Sequence, residues 1–104
     1  MNYKIKRTNR FNNEVEKLSE EEISRIENII NQLKDNPYVG DQLQIRILRE
    51  KRLMDKRVYY LVFDDLQVIL MVAIGNKKIQ QRTIDFVIQN IENYKESLKG
   101  LIDD

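Results

Sequence analysis

From Tyr3 to Thr8 the apolar residues Tyr3 and Ile5 alternate with Lys4 and Lys6, the period-two pattern of a short strand with one polar face. Phe11, Val15 and Leu18 then recur at i, i+4 and i+7, the stripe of a short amphipathic helix that Thr8 or Asn9 is placed to cap. Ser19 followed by Glu20, Glu21 and Glu22 is a capping box, serine at the cap and glutamate three residues on. It predicts a longer helix with the apolar stripe Ile23, Ile26, Ile29, Ile30 and Leu33, and its first-turn glutamates suit the positive end of the helix dipole. Asn36-Pro37 ends this helix, because proline disfavours the helical conformation in the residue before it. Gly40 lets the chain turn.

The period then changes. Leu43, Ile45 and Ile47 alternate with Gln44, Arg46 and Leu48, a half-exposed strand, and Glu50 to Lys56 is expected to be a charged connection. Arg57 to Phe63 is rich in aromatic and β-branched residues, Asp64-Asp65 fits a tight hairpin turn, and Leu66 to Ile74 is the most apolar stretch and so the predicted central strand. Gly75 ends that strand and Asn76-Lys77-Lys78 reads as a polar turn. Ile84, Val87, Ile88, Ile91 and Leu98 lie at helical spacing, a C-terminal helix of roughly four to five turns ending at Gly100. The order strand, helix, helix, three strands, helix predicts an α+β fold, with two N-terminal helices packed on one face of a small antiparallel sheet and a C-terminal helix after it. The opposite sheet face is expected to be concave, partly exposed and basic, carrying Arg46, Arg57 and the side chains near Lys77.

A chain of 104 residues is expected to form one domain over residues 1–104, with a core large enough to need no covalent staples. It has no cysteine and no histidine, which excludes disulfides, thiolate nucleophiles, cysteine-built metal centres and imidazole acid–base chemistry. The longest apolar run, Val68 to Ile74, is too short to cross a bilayer, and the N-terminus lacks a basic-then-apolar signal, so a cytoplasmic protein with no membrane partner is expected. No cofactor and no metal are expected either. The glutamates at 20–22 are explained by helix capping, Asp64-Asp65 by a turn, and glycines at 40, 75 and 100 cannot form a phosphate-cradling loop.

Charge is unevenly spread. Between Gln44 and Arg82 lie nine basic and four acidic residues, a net +5, whereas the rest of the chain holds nine basic and thirteen acidic residues, a net −4. A polyanion would be drawn to the first segment only. Its basic residues also have a plainer reading, since strand arginines such as Arg46 and Arg57 discourage sheet-to-sheet aggregation and Lys77-Lys78 suits a solvated turn.

At this point the sequence resembles the RelE/ParE superfamily of toxins from toxin–antitoxin systems, with the order of elements agreeing along almost the whole chain. The resemblance is carried by the helical pair ending in Leu33-Lys34-Asp35-Asn36-Pro37, by the Arg57-Val58-Tyr59-Tyr60 strand, and by the apolar strands either side of Asp64-Asp65. Its most specific stretch is Gly75 to Ile84, which is similar to the Gly-x-x-Lys-x-x-Gln pattern of the small "addiction module killer" branch related to HigB. The resemblance implies a RelE-like fold, cleavage of messenger RNA, typically on the ribosome, and silencing by a cognate antitoxin. It further implies metal-free chemistry in which the RNA 2′-hydroxyl attacks the adjacent phosphate. Arg57 matches the arginine that opens the Arg-x-x-Tyr strand, Arg46 and Arg49 lie in the strand that supplies basic residues, and Lys77 and Lys78 match the basic position past the last strand's glycine. These five are the candidate catalytic residues. Lys51, Arg52, Lys56 and Arg82, with Tyr59 and Tyr60, make up the candidate RNA-binding set. The chain departs from the pattern at Ile79, Gln80 and Gln81, where relatives often carry a tyrosine, and in having no histidine.

Phosphate transesterification needs relief of charge on the phosphorane, a base for the 2′-hydroxyl and a proton for the leaving oxygen. Guanidinium groups suit the first need, provided that Arg46, Arg49 and Arg57 converge. A lysine beside other cations, Lys77 next to Lys78, is a candidate for proton transfer. Tyr59 and Tyr60 alternate faces, so one belongs to the core and the other is a candidate for the site, while Met54, Met71 and Phe86 read as packing. Three functions stay open: an endoribonuclease toxin, a ParE-like or inactive member acting as a protein-binding module or antitoxin-bound co-repressor, and a plain interaction domain.

Overall fold

The computed structural model describes residues 2–76 and 81–102. Its elements run β1 (Lys4–Arg7), α1 (Asn9–Val15), α2 (Glu20–Asp35), β2 (Asp41–Leu43), β3 (Ile45–Leu53), β4 (Lys56–Phe63), β5 (Val68–Asn76), α3 (Gln81–Gln89) and α4 (Ile91–Ile102). The strands form one sheet in the order β1-β5-β4-β3-β2. The expected antiparallel meander is present from β2 to β5, but β1 pairs parallel to β5, so the sheet is mixed.

Both N-terminal helices start where side chains satisfy their free N–H groups. The Thr8 hydroxyl accepts from Phe11 N and donates to the Val72 carbonyl, which caps α1 and ties it to β5. Ser19 and Glu22 close the capping box of α2 reciprocally. Phe11 of α1 and Ile26, Ile29, Ile30 and Leu33 of α2 pack on one sheet face with Val58, Tyr60, Val62, Ile69 and Met71.

The opposite face corrects one expectation. It is not an open basic surface, because Ile84, Val87 and Leu98 of α3 and α4 cover it, packing on Leu48, Tyr59, Leu61, Phe63, Leu70 and Val72. The C-terminal segment is two helices rather than one, and Gly100 lies inside the second. They part at Asn90, whose amide nitrogen donates to the Phe86 carbonyl and whose backbone N–H is shared between the carbonyls of Phe86 and Val87.

Two strand boundaries also differ from the sequence reading. Glu50 to Leu53 belongs to β3, which turns into β4 through Met54-Asp55 with Met54 at φ 55°. The turn after Phe63 takes four residues, Asp64 to Gln67, with Gln67 at φ 55° and β5 beginning at Val68. Neither Met54 nor Gln67 is a residue that advertises a left-handed backbone.

Candidate functional site

The pleat divides the basic residues between the two sides of the sheet. On β4, Tyr59, Leu61 and Phe63 face α3 and α4, so Arg57, two residues before Tyr59, continues that row beyond the apolar cluster. On β3 the facing row is Leu48, Glu50 and Arg52, because Leu48 pairs with Leu61, Glu50 with Tyr59 and Arg52 with Arg57. Along both strands this face runs from apolar to ionisable in one direction. Gly75 of β5 lies opposite Arg57 on the other side, and a Cβ there would stand 3.1 Å from the Tyr59 ring. The missing side chain lets the phenol lie against the backbone.

Arg57, Arg52, Glu50 and Tyr59 therefore form one cluster. Two like charges directly opposite on adjacent strands destabilise a sheet by roughly 0.2–1 kcal/mol. The two guanidiniums are held by hairpin carbonyls, Arg52 Nε donating to Met54 O and Arg57 Nη1 to Lys56 O. Burial pushes the Glu50 carboxyl up from its ordinary value, Arg57 opposes this, and Asp41, its partner on β2, adds to it. The Tyr59 phenol is pushed up to about 12 by burial and then by Glu50, with Arg57 opposing. Its hydroxyl is buried with no hydrogen-bond partner among the described residues.

Arg46 and Arg49 lie elsewhere. Arg49 donates from Nε to Gly40 O, from Nη1 to Arg46 O and from Nη2 to Tyr38 O, so its fork is committed to backbone carbonyls. Both arginines stack on the Tyr38 ring, at 4.3 Å for Arg46 and 5.1 Å for Arg49. Asp64 completes the group. It accepts from Tyr38 Oη at 2.6 Å and Tyr3 Oη at 2.7 Å, with Arg46 at 3.5 Å. Tyr38 packs on the α1/α2 core, so the expected convergence of Arg46, Arg49 and Arg57 does not occur.

The rest of the candidate set is scattered too. Lys51, opposite Val58, and Lys56 lie toward α1 and α2, where Lys56 pairs with Glu22 at 2.7 Å and Asp55 at 3.4 Å. Tyr60 is fully buried on that side and donates to Pro37 O at 2.8 Å while accepting from Gly40 N, so it belongs to the core. A Cβ at Gly40 would lie 2.6 Å from that same phenol oxygen, so the loop closes on Tyr60 only with glycine there. Arg82 is exposed on the first turn of α3, and Lys77 and Lys78 lie outside the described residues. Phe86 and Met54, read from the sequence as packing, are 51% and 38% exposed.

Glu50 is the site residue that the sequence reading missed, and Arg52 gained a sharper place than expected. A signal was available, since Leu48, Glu50 and Arg52 repeat at period two toward a two-residue turn, but the density of charge argued for a loop. None of the described helices is long and apolar enough to cross a membrane.

No protein-family model matches this chain, and none of the curated proteins matches it by sequence. Solved structures do match in fold. The toxin–antitoxin complex RelBE of E. coli aligns with a TM-score of 0.66 at 16% identity, over 74% of this chain and 99% of the matched chain. The archaeal RelE–RelB complex from Pyrococcus horikoshii aligns at 0.68 and 20% identity, over 77% of this chain and 100% of the other. RelBE2 from Mycobacterium tuberculosis gives 0.65 and 16%, over 73% and 99%. The chain has the α+β fold of the RelE toxins.

Proposed function

We propose that this chain is the toxin of a toxin–antitoxin pair and a metal-independent endoribonuclease that cuts messenger RNA, on the ribosome and in the cytoplasm, until a small antitoxin binds it. The observation that carries the reading is the Arg52–Arg57 pair, two cations opposed across β3 and β4 with a partly buried carboxylate and a phenol beside them. An anion between such groups removes their repulsion, and a phosphate offers oxygens in the spacing that guanidinium forks bind.

In this reading Arg57 stabilises the charge that develops on the phosphorane and Arg52 holds a non-bridging oxygen. Glu50, with its carboxyl raised by burial, accepts the 2′-hydroxyl proton. The leaving 5′-oxygen takes its proton from Lys77 or Lys78. Tyr59 stays protonated at neutral pH, and its buried hydroxyl leaves it a neighbour of Glu50 rather than a contact to RNA. Arg46 and Arg49, expected as catalytic, act on the loop around Tyr38 instead.

The commitment of Arg46 and Arg49 to that loop favours a second reading, a protein-binding module that keeps the fold without cutting RNA. Inducible expression, with growth measured and messenger RNA 5′ ends mapped, separates the two. Arrest with new 5′ ends, fragments ending in 2′,3′-cyclic phosphate, and activity that survives EDTA are expected of the nuclease. Growth arrest with intact messenger RNA, or no arrest, selects the binding module.

A further inference from the structure

Away from this cluster, Arg10 of α1 and Arg82, Thr83 and Phe86 of α3 line a shallow cavity of about 240 Å³. Phe86 is half exposed there, and the aromatic ring is four residues from Arg82 on the same helix face. Arg82 has no ion pair among the described residues, whereas Arg10 meets Glu14 at 3.5 Å. Phe86 belongs to neither apolar cluster of the fold, so half of a phenyl ring stands in solvent beside two arginines that line the same cavity.

We propose that Phe86 is a stacking platform for an unpaired nucleobase, with Arg10 and Arg82 taking the flanking phosphates, so that RNA is held at a second place besides the Arg52–Arg57 cluster. This rests on the reading of the chain as an RNA-handling protein. The shape favours RNA over an acidic peptide. A peptide anchor needs a deep apolar pocket that desolvates it, but among the described residues Phe86 is the one apolar side chain lining this cavity. A base needs only a ring face and nearby cations. The neighbouring segment fits the same ligand, because Lys6 and Arg7, just ahead of Arg10, line a larger groove of about 440 Å³ along α4.

The test uses the absence of tryptophan from the chain. Phe86→Trp installs one fluorophore at the platform, titrated with a single-stranded 2′-O-methyl oligoadenylate that binds without being cut. Quenching is expected, with an abasic oligomer of equal length giving none. Phe86→Leu keeps apolar bulk and folding but loses the ring, and should weaken binding roughly tenfold. Arg10→Ala and Arg82→Ala should each lower the slope of log affinity against log salt by about one. Absence of quenching, equal quenching by the abasic oligomer or by polyglutamate, or a Phe86→Leu protein that binds as the parent does would overturn the platform. Quenching without any RNA cleavage would sink the nuclease reading and leave the platform standing.

Discussion

The two arginine pairs of this molecule differ in what their environment leaves them to do. Arg46 and Arg49 are stacked on one tyrosine, and Arg49 sends three N–H bonds to carbonyls of the α2–β2 loop and β3. Arg52 and Arg57 face each other across two strands, and their bonds are to the ends of their own hairpin. Arg49 completes backbone carbonyls that would otherwise lose partners, and Arg46 lies on the same ring beside Asp64, so the first pair serves the fold. The second keeps a repulsion that a folded chain gains nothing from, and the proposed phosphate site rests on that repulsion. Residue type and net charge alone do not separate these roles; the partners of each guanidinium do.

The sharpest way to break this contrast is to truncate one member of each pair. Arg57→Ala should lower RNA cleavage by on the order of 10²–10³, the usual loss for one charge-stabilising donor, while the melting temperature stays within a few degrees. Arg49→Ala should do the reverse. Leaving the carbonyls of Tyr38, Gly40 and Arg46 without their donor costs about 1–3 kcal/mol, a drop of roughly 4–8 °C per kcal/mol in a chain of this size. Cleavage assays paired with thermal melts read both effects. Equal losses of stability for the two variants would erase the distinction.

The two adjacent tyrosines of β4 sharpen it further. Tyr60 bonds to Pro37 O and Gly40 N inside the core, so Tyr60→Phe should cost about 1–3 kcal/mol in urea unfolding. The Tyr59 hydroxyl is buried without a partner among the described residues, so Tyr59→Phe should leave stability unchanged or raise it. A Tyr59→Phe protein as destabilised as Tyr60→Phe would mean that the hydroxyl is satisfied.

Much of the fold was legible because it rests on period and caps. The Ser19–Glu22 box, the stop at Asn36-Pro37 and the apolar run of β5 each follow from local chemistry that tertiary contacts reinforced. The errors share another cause. Glu50 to Leu53 looked like a loop because hydrophobic alternation fails where a strand's partners are a tyrosine and an arginine rather than core residues. The opposite sheet face is apolar rather than basic because the stripe of Ile84, Val87 and Leu98 covers it, and helical spacing alone does not say which face of a sheet a stripe will take. Arginine pairing depends on pleat direction, which a missed turn at Met54 reverses for every residue beyond it.

The smallest expected effect concerns pH, and it has opposite signs in the two regions. Asp64 is held below the usual carboxylate range by its hydrogen bond from Tyr38, then by that from Tyr3, and then by Arg46. A depressed value means that its contribution to stability is present above the unfolded aspartate pKa of about 3.9 and lost as pH falls through the lower folded value. Its side chain is 44% exposed, so solvent screens the interaction and the effect is modest. Glu50 is raised, chiefly by burial, so folding favours its protonated form; that contribution is full below the unfolded glutamate pKa and fades as pH rises through the folded value. Melting temperatures measured from pH 2.5 to 7 should therefore show Asp64→Asn losing stability mainly at the upper end, with its curve meeting the parent's in acid. Glu50→Gln should gain stability at the upper end and meet the parent's curve below about pH 4. Curves displaced from the parent by the same amount at every pH would show that neither carboxylate is coupled to its neighbours in the way the geometry requires, and the contrast between a satisfied region and a poised one would lose its electrostatic basis.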